Sequence, residues 1–272
     1  MKRKRNLLII TALVVFTVLR GRYGLCVTRY DIHSPAVPEA FDGFRIVQVS
    51  DLHGAEFGRN NSRLAAVIAS ERPDMIAITG DAASDMSELP AFCSLLSQIS
   101  ELAPVYYVSG NHEWAGGIMP QVLAAVDEAG AKALKNEYYE LTRGGDGIVI
   151  AGVDDPNGRA DMIKPDELAL NIRQTQGDEF TVLLGHRNYW QEQYPALPVD
   201  LILCGHAHGG IIRLPIIGGL INTDRTFPAR YEGGAYTGGD YTMVVSRGLG
   251  STGPVPRIFN CPEVVTVVLH SE

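Results

Sequence analysis

Acid is missing from one end of the chain. No Asp or Glu precedes Asp31, whereas seven of the 23 basic residues do: Lys2, Arg3, Lys4, Arg5, Arg20, Arg22 and Arg29. The remainder holds 16 basic against all 31 acidic side chains. A body so charged repels a phosphate backbone, which argues against nucleic acid as a partner. A metal ion could still draw a phosphate ester into a local site. Cysteine is scarce too: Cys26, Cys93, Cys204 and Cys261 lie far apart and form no CxxC pair. Neither a zinc knuckle nor a dithiol redox motif is indicated, and the count leaves the redox compartment open. Cys204 sits in an apolar run and reads as a small core residue. The chain also lacks repeats, low-complexity tracts and any sign of a second globular domain. Its 272 residues suit one large α/β domain with a substantial core.

A long apolar run stands close to the N-terminus. Leu7 to Leu19 is interrupted only by Thr11 and Thr17, with Lys2-Arg3-Lys4-Arg5 before it and Arg20 and Arg22 after it. At ~1.5 Å per residue such a helix is about 20 Å long, short of the roughly 30 Å hydrocarbon core. A secretory signal has this length and these basic flanks, but no A-x-A-like cleavage site follows. The reading is an uncleaved signal anchor over residues 1–29, with a cleaved signal peptide as its competitor. The more basic N-terminal flank predicts an N-inside orientation, with the domain of residues 30–272 outside the cytoplasm.

Five apolar segments end abruptly in residues of metal-ligand type. Ile46–Val49 leads to Asp51-Leu52-His53, and Met75–Thr79 to Gly80-Asp81. Val105–Val108 leads to Gly110-Asn111-His112-Glu113. Phe180–Leu184 leads to Gly185-His186, and Leu201–Cys204 to Gly205-His206-Ala207-His208. Apolar β-branched runs of this length read as buried strands. In α/β proteins ligands bind outside the carboxyl ends of such strands. Any one of these endings is weak evidence; the ordered series is strong. Asp51, His53, Asp81, Asn111, His186, His206 and His208 supply oxygen and nitrogen donors without thiolate. That set suits Mn, Fe, Zn, Ni or Co. Seven donors exceed one open site but fit two divalent ions if a carboxylate bridges. Such a pair can activate water and stabilise both oxygens of a phosphoryl displacement. His112, next to a ligand, has the chemistry to protonate a leaving oxygen.

These residues resemble the calcineurin-like metallophosphoesterases, whose pattern is D-x-H, G-D-x-x-D, G-N-H-[ED], H and G-H-x-H. The resemblance spans about residues 30 to 270. It implies a four-layer α/β/β/α sandwich of two mixed sheets flanked by helices. It also implies that Asp51, His53 and His208 hold one ion and that Asn111, His186 and His206 hold the other. Asp81 would bridge them, and His112 would stand near the leaving group. Gly205–Gly210, Arg213-Leu214-Pro215 and Ser246–Gly250 are similar to the YkuE- and YaeI-like membrane-associated bacterial branch. Some members of that branch cleave phosphodiesters or the pyrophosphate of UDP-2,3-diacylglucosamine. A phosphoester substrate of the cell envelope, lipid-linked in one version, is therefore expected.

One position departs from the pattern. The acid three residues after the bridging Asp, which in relatives orients the proton-donating histidine, is Ser84 here, and an acid follows at Asp85. Either Ser84 acts more weakly or Asp85 reaches across. The Gly209–Asp240 stretch is rich in turn residues and carries Arg213, Arg225, Arg230 and Tyr231; long loops of this kind are usually functional. Arg213 and Arg247 are the expected phosphate contacts, because guanidinium groups bind phosphate oxygens in pairs. The competing function, a non-catalytic binding module on the same fold, is disfavoured because such modules tend to lose ligands and this chain keeps all seven.

Overall fold

The structure is a computed structural model that describes residues 2–158, 163–210, 212–214, 216–220, 230–251 and 256–272. Arg225 lies outside the described residues. In chain order the elements are α1 (Lys2–Tyr23), β1 (Cys26–His33), β2 (Arg45–Val49), α2 (Ser62–Ser70), β3 (Met75–Thr79), α3 (Leu89–Ile99) and β4 (Val105–Val108). There follow α4 (Asn111–Ala115), α5 (Met119–Glu128), β5 (Lys132–Ala133), β6 (Glu137–Arg143), β7 (Asp146–Gly152), α6 (Pro165–Gln176) and β8 (Thr181–Leu184). The last are α7 (Trp190–Gln193), β9 (Leu201–Cys204), β10 (Arg213–Leu214), β11 (Gly218–Gly219), β12 (Gly234–Gly238), β13 (Tyr241–Val245) and β14 (Glu263–His270).

Two six-stranded mixed sheets result, in the orders β1-β14-β2-β3-β4-β5 and β12-β13-β9-β8-β7-β6. The period-2 alternation of strand side chains explains why they stack. Ile46 of β2, with Met75 and Ala77 of β3, faces the second sheet, where Ile148, Ile150, Val182, Leu184 and Leu203 meet them. Val47, Val49, Ile76 and Ile78 point the other way, onto Leu64 and Ile68 of α2 and Phe92, Leu95 and Leu96 of α3. The outer face of the second sheet is covered by Leu168, Ala169 and Ile172 of α6, and by Trp190. The central strands β3, β4, β8 and β9 are buried on both faces, as the continuous apolar runs require. Each fully buried Leu or Ile contributes roughly 1.5–3 kcal/mol. This is the α/β/β/α sandwich expected.

Local signals mostly hold. Gly130, at φ 71°, ends α5 in the left-handed conformation that favours glycine. Asn61, which precedes Ser62 of α2, is not a conventional helix cap. It is itself left-handed and buried, and its side chain accepts from the Phe57 N–H and donates to the Ala91 carbonyl. It thus ties α2 to α3 rather than closing the first turn. Cys204 is fully buried, as expected. Cys26 and Cys261, 235 residues apart, form a disulfide with a Cα–Cα distance of 6.2 Å. It staples the segment after α1 to the start of β14, a pairing that spacing alone could not reveal.

Candidate metal centre

The site lies at the carboxyl ends of three adjacent strands from each sheet: β2, β3 and β4 in one, β9, β8 and β7 in the other. The chain leaves each strand through a tight, partly strained turn. Asp51, His53, Asp81, His206 and His208 all adopt positive φ, between 45° and 68°. Non-glycine residues in that region cost free energy and cluster at functional sites. Convergence is close enough to need two glycines. A Cβ on Gly110 would strike Asp81 Oδ1, and one on Gly205 would strike Ser50 Oγ and Asp51 Oδ2.

Two groups of donors meet at one carboxylate. Asp51, His53, Asp81 and His208 form the first; Asp81, His186 and His206 form the second; ligand atoms within each lie within 4.8 Å of one another. Asp81 Oδ2 is 3.6 Å from His53 Nε2 and 3.1 Å from His186 Nε2. His208 Nε2 is 3.5 Å from Asp51 Oδ1, and His206 Nδ1 is 3.2 Å from His186 Nε2. Asn111 Oδ1, 3.2 Å from His186 Nε2, joins the second group. The fit to cations is specific: His53 Nε2 and Asp81 Oδ2 are buried without a hydrogen-bond partner, and both point into the cluster. Most buried polar atoms in folded proteins are hydrogen-bonded. These two are orphaned where ions would sit.

For three of the four histidines the electrostatics agree with a ligand set. Burial, then the neighbouring His112 and His186, pushes His53 down to about 3 despite the attraction of Asp81. Burial, His186 and Arg187 bring His206 to about 2, and burial holds His208 well below the imidazole range. All three are therefore neutral near pH 7, the form that binds metal. Burial opposes a charge on His186 as well, yet the Asp81 carboxylate outweighs it and raises that imidazole to about 10. Burial also raises Asp51 to about 6.

Surrounding groups hold these donors in place. The Ser50 hydroxyl donates to Asp51 Oδ2, and the His206 N–H donates to the same carboxylate. His186 Nδ1 is 2.8 Å from the Thr79 carbonyl, which turns Nε2 inward. Glu113 accepts from the N–H groups of Gly110, Asp81 and Ala82 and from the Tyr107 hydroxyl, lacing the β4 turn to the β3 turn. Gln48 crosses from sheet to sheet, donating to Thr79 Oγ1 and the Cys204 carbonyl.

Ser84 and Asp85 do not serve His112. Ser84 Oγ is 3.0 Å from His53 Nδ1, so it orients a ligand instead. Asp85 is exposed and caps the next turn through Ser87 and Glu88. The His112 N–H donates to Asp81 Oδ1 and its ring stands edge-on to His53, at 4.8 Å. Among the described residues that ring makes no hydrogen bond. Arg213 and Arg247 are both engaged with protein: Arg213 with the Gly209 carbonyl and Glu232, Arg247 with Glu263 and Thr28. Arg230 pairs with Glu192 at the surface, and Tyr231 packs on Tyr236.

Sequence reasoning missed Arg187, Asp155 and Arg257. Arg187 binds Asp155 through two nitrogens, at 2.6 and 3.0 Å, and lies 3.3 Å from His206 Nε2. Arg257, buried, lies 3.3 Å from His208 Nδ1 and donates to the carbonyls of Gly250 and Arg247. A signal existed for Asp155. The apolar strand β7 runs into Val153-Asp154-Asp155, the same construction as the five strands singled out.

Residues 44–210, more than half of the chain, match the family described as calcineurin-like phosphoesterase. The chain belongs to that family. It is 29% identical over 250 residues to the metallophosphoesterase YkuE of Bacillus subtilis, covering 90% of this chain and 85% of that one. It is 28% identical over 226 residues to the phosphodiesterase YaeI of Escherichia coli, covering 76% of each. A dimetal phosphatase from Danio rerio shares the fold, at a TM-score of 0.50 and 12% identity over 85% of this chain and 94% of that one. This calcineurin-like phosphoesterase is thus a hydrolase acting on phosphoester bonds, with a buried Asp/His cluster for divalent metal.

Proposed function

We propose that this phosphoesterase uses two ions, opens phosphodiester or pyrophosphate bonds, and works from the outer side of a membrane on envelope substrates. The observation that carries the two-ion reading is Asp81, whose carboxylate belongs to both donor groups and whose Oδ2 lies between His53 Nε2 and His186 Nε2. Asp51, His53 and His208 would hold one ion, Asn111, His186 and His206 the other, with Asp81 between. When bound, the pair supplies an activated water and charge for the attacking and leaving oxygens. The protein's own part is to fix that geometry and to manage the proton. His112, half-buried beside His53 and held through its N–H on Asp81, gives a proton to the leaving oxygen. A diester or pyrophosphate is favoured over a monoester by the similarity to a relative named a phosphodiesterase.

The anchor reading draws on α1, the one helix among the described residues long and apolar enough to cross a membrane. Leu8, Leu13, Val15, Phe16 and Leu19 are each at least half exposed, so their apolar surface needs a non-aqueous cover. The Cys26–Cys261 disulfide, three residues past the end of α1, suits an oxidising compartment outside the cytoplasm.

The test is turnover of bis-p-nitrophenyl phosphate by purified protein, metal-depleted and then titrated with Mn. Activity that returns as a second equivalent binds supports the two-ion reading; full activity at one equivalent rejects it. Topology is read by blocking free thiols in intact cells and probing whether Cys26 and Cys261 are joined. Finding both reduced would place the domain inside.

A further inference from the structure

Beside the second donor group is a cavity of about 210 Å³, with His186 and Arg187 on its inner side and Tyr189, Tyr194, Pro156 and Pro165 among its walls. Arg187 is the feature that makes it a site. Its side chain is 21% exposed, whereas its partner Asp155 is fully buried. The Asp155 N–H donates to Ser109 Oγ, and its Oδ1 accepts from the Asn157 N–H, so the carboxylate is fixed before the guanidinium meets it. A guanidinium has five N–H groups. Asp155 takes Nε–H and one on Nη2, and a third, on Nη1, faces His206. One N–H remains on each terminal nitrogen. That outer edge is the fork that pairs with two oxygens of a phosphate.

We propose that Arg187, held by Asp155, grips the substrate phosphate at this centre, and that the adjoining cavity receives the ring-shaped organic group esterified to it. The proposal takes from the preceding section only that a phosphate sits at the donor cluster. Position favours this arginine. Arg187 and Arg257 each reach a candidate ligand, but Arg257 is buried and spends its nitrogens on the Gly250 and Arg247 carbonyls, whereas Arg187 lines a cavity beside the second donor group. Cavity size selects the class of group. It falls below the ~300–1,000 Å³ of pockets for drug-sized ligands, which leaves room for one sugar or base and not for paired acyl chains. Flat tyrosine and proline faces suit a ring. Asp155 is a positioning residue, because it acts through Arg187.

Two diesters with the same nitrophenyl leaving group separate the parts of this idea: the p-nitrophenyl ester of thymidine 5′-phosphate, whose other ester group is a nucleoside, and methyl p-nitrophenyl phosphate, whose other ester group is only a methyl. Arg187→Ala should keep its metal, raise KM for both by about 10- to 100-fold, and weaken competition by orthophosphate to match. Arg187→Lys should recover part of the loss, and Asp155→Asn should resemble Arg187→Ala more mildly. Tyr189→Ala should raise KM for the thymidylyl ester alone. Unchanged KM and orthophosphate affinity in Arg187→Ala would overturn the phosphate contact. Loss of metal in that variant would overturn it too, making Arg187 a support for His206. An equal response of both esters to Tyr189→Ala would remove the cavity from substrate binding. If the wild-type protein shows no metal-dependent turnover, the two-ion reading fails instead, while calorimetric titration with orthophosphate still decides Arg187.

Discussion

The two donor groups are alike in chemistry and unlike in surroundings. Asp51, His53 and His208 are all buried, and the protein closes over them with Ser50, Ser84 and Arg257. On the other side His186 is buried, but Asn111 and His206 are half-open, and a cavity begins at Arg187. One half is walled by protein; the other faces the space where a substrate fits. The difference teaches a division of labour. On the proposed reading the closed half would fix an ion and the strained turns around it, and the open half would leave coordination and a cationic fork available to phosphate. Asp81 belongs to both, so it is where the comparison can be broken outright.

Asp81→Asn is the variant with the largest expected effect. An amide cannot supply the charge that two cations share, and one oxygen is lost as a ligand. Turnover should fall by about 10³-fold or more, in line with the charge stabilisation that ions contribute. Elemental analysis should show at least one ion missing. Both ions retained, with unchanged turnover, would mean that the halves do not share a carboxylate.

Legibility followed the same division. The strand endings pointed to the six Asp and His side chains that meet in the cluster because apolar runs are easy to see and each stops at a residue with lone pairs. The four-layer order came from the resemblance, and the strand alternation then explains it. What stayed hidden was contact between residues distant in sequence. Arg257 reaches His208 from 49 residues away, and Cys26 meets Cys261 across 235. No local pattern carries such pairings. Asp155 was readable in principle, since β7 ends in acid as the other strands do. The departure at Ser84 was visible, but its meaning was not, because the turn carries its hydroxyl to His53 rather than His112.

An acid titration of the metal-free protein sharpens the comparison at intermediate cost. His53 and His206 are held neutral, at about 3 and about 2, one in each half. Unfolded imidazoles titrate near 6.5. Between those values the unfolded chain binds more protons than the folded one, so stability falls as pH drops below about 6.5. His186, raised to about 10, works in a different window: its contribution is full below about 6.5 and is lost as pH rises through 10. Denaturant midpoints should therefore fall on both flanks; bound metal, which needs neutral imidazoles, should flatten the alkaline flank and deepen the acid one. Asp51 and Glu113, raised to about 6 and about 8, oppose this slope, so an acid slope that both His53→Gln and His206→Gln leave unchanged would refute the neutral assignment. His53→Gln and His206→Gln should each reduce the acid slope, which apportions it between the closed and open halves.

The smallest effect is expected at Ser84, on the rim of the closed half. Its hydroxyl is 3.0 Å from His53 Nδ1 and accepts that N–H when Nε2 faces the centre. Partners of this kind fix the tautomer and raise ligand basicity, and losing one costs roughly 10–100-fold in metal affinity or activity. A hydroxyl is a weak acceptor, so Ser84→Ala should sit at about the low end, near 10-fold in affinity for one ion of the pair. Ser84→Asp should move affinity the other way, since a carboxylate strengthens the same bond. Neither change touches the His112 ring. The ratio of rates for alkyl and nitrophenyl esters should therefore stay constant in both variants, whereas His112→Ala should slow the alkyl ester far more, because its leaving oxygen needs a proton. If Ser84→Asp alters that ratio while metal affinity stays fixed, the side chain at position 84 serves the leaving group after all, and the closed half is not purely a metal cage.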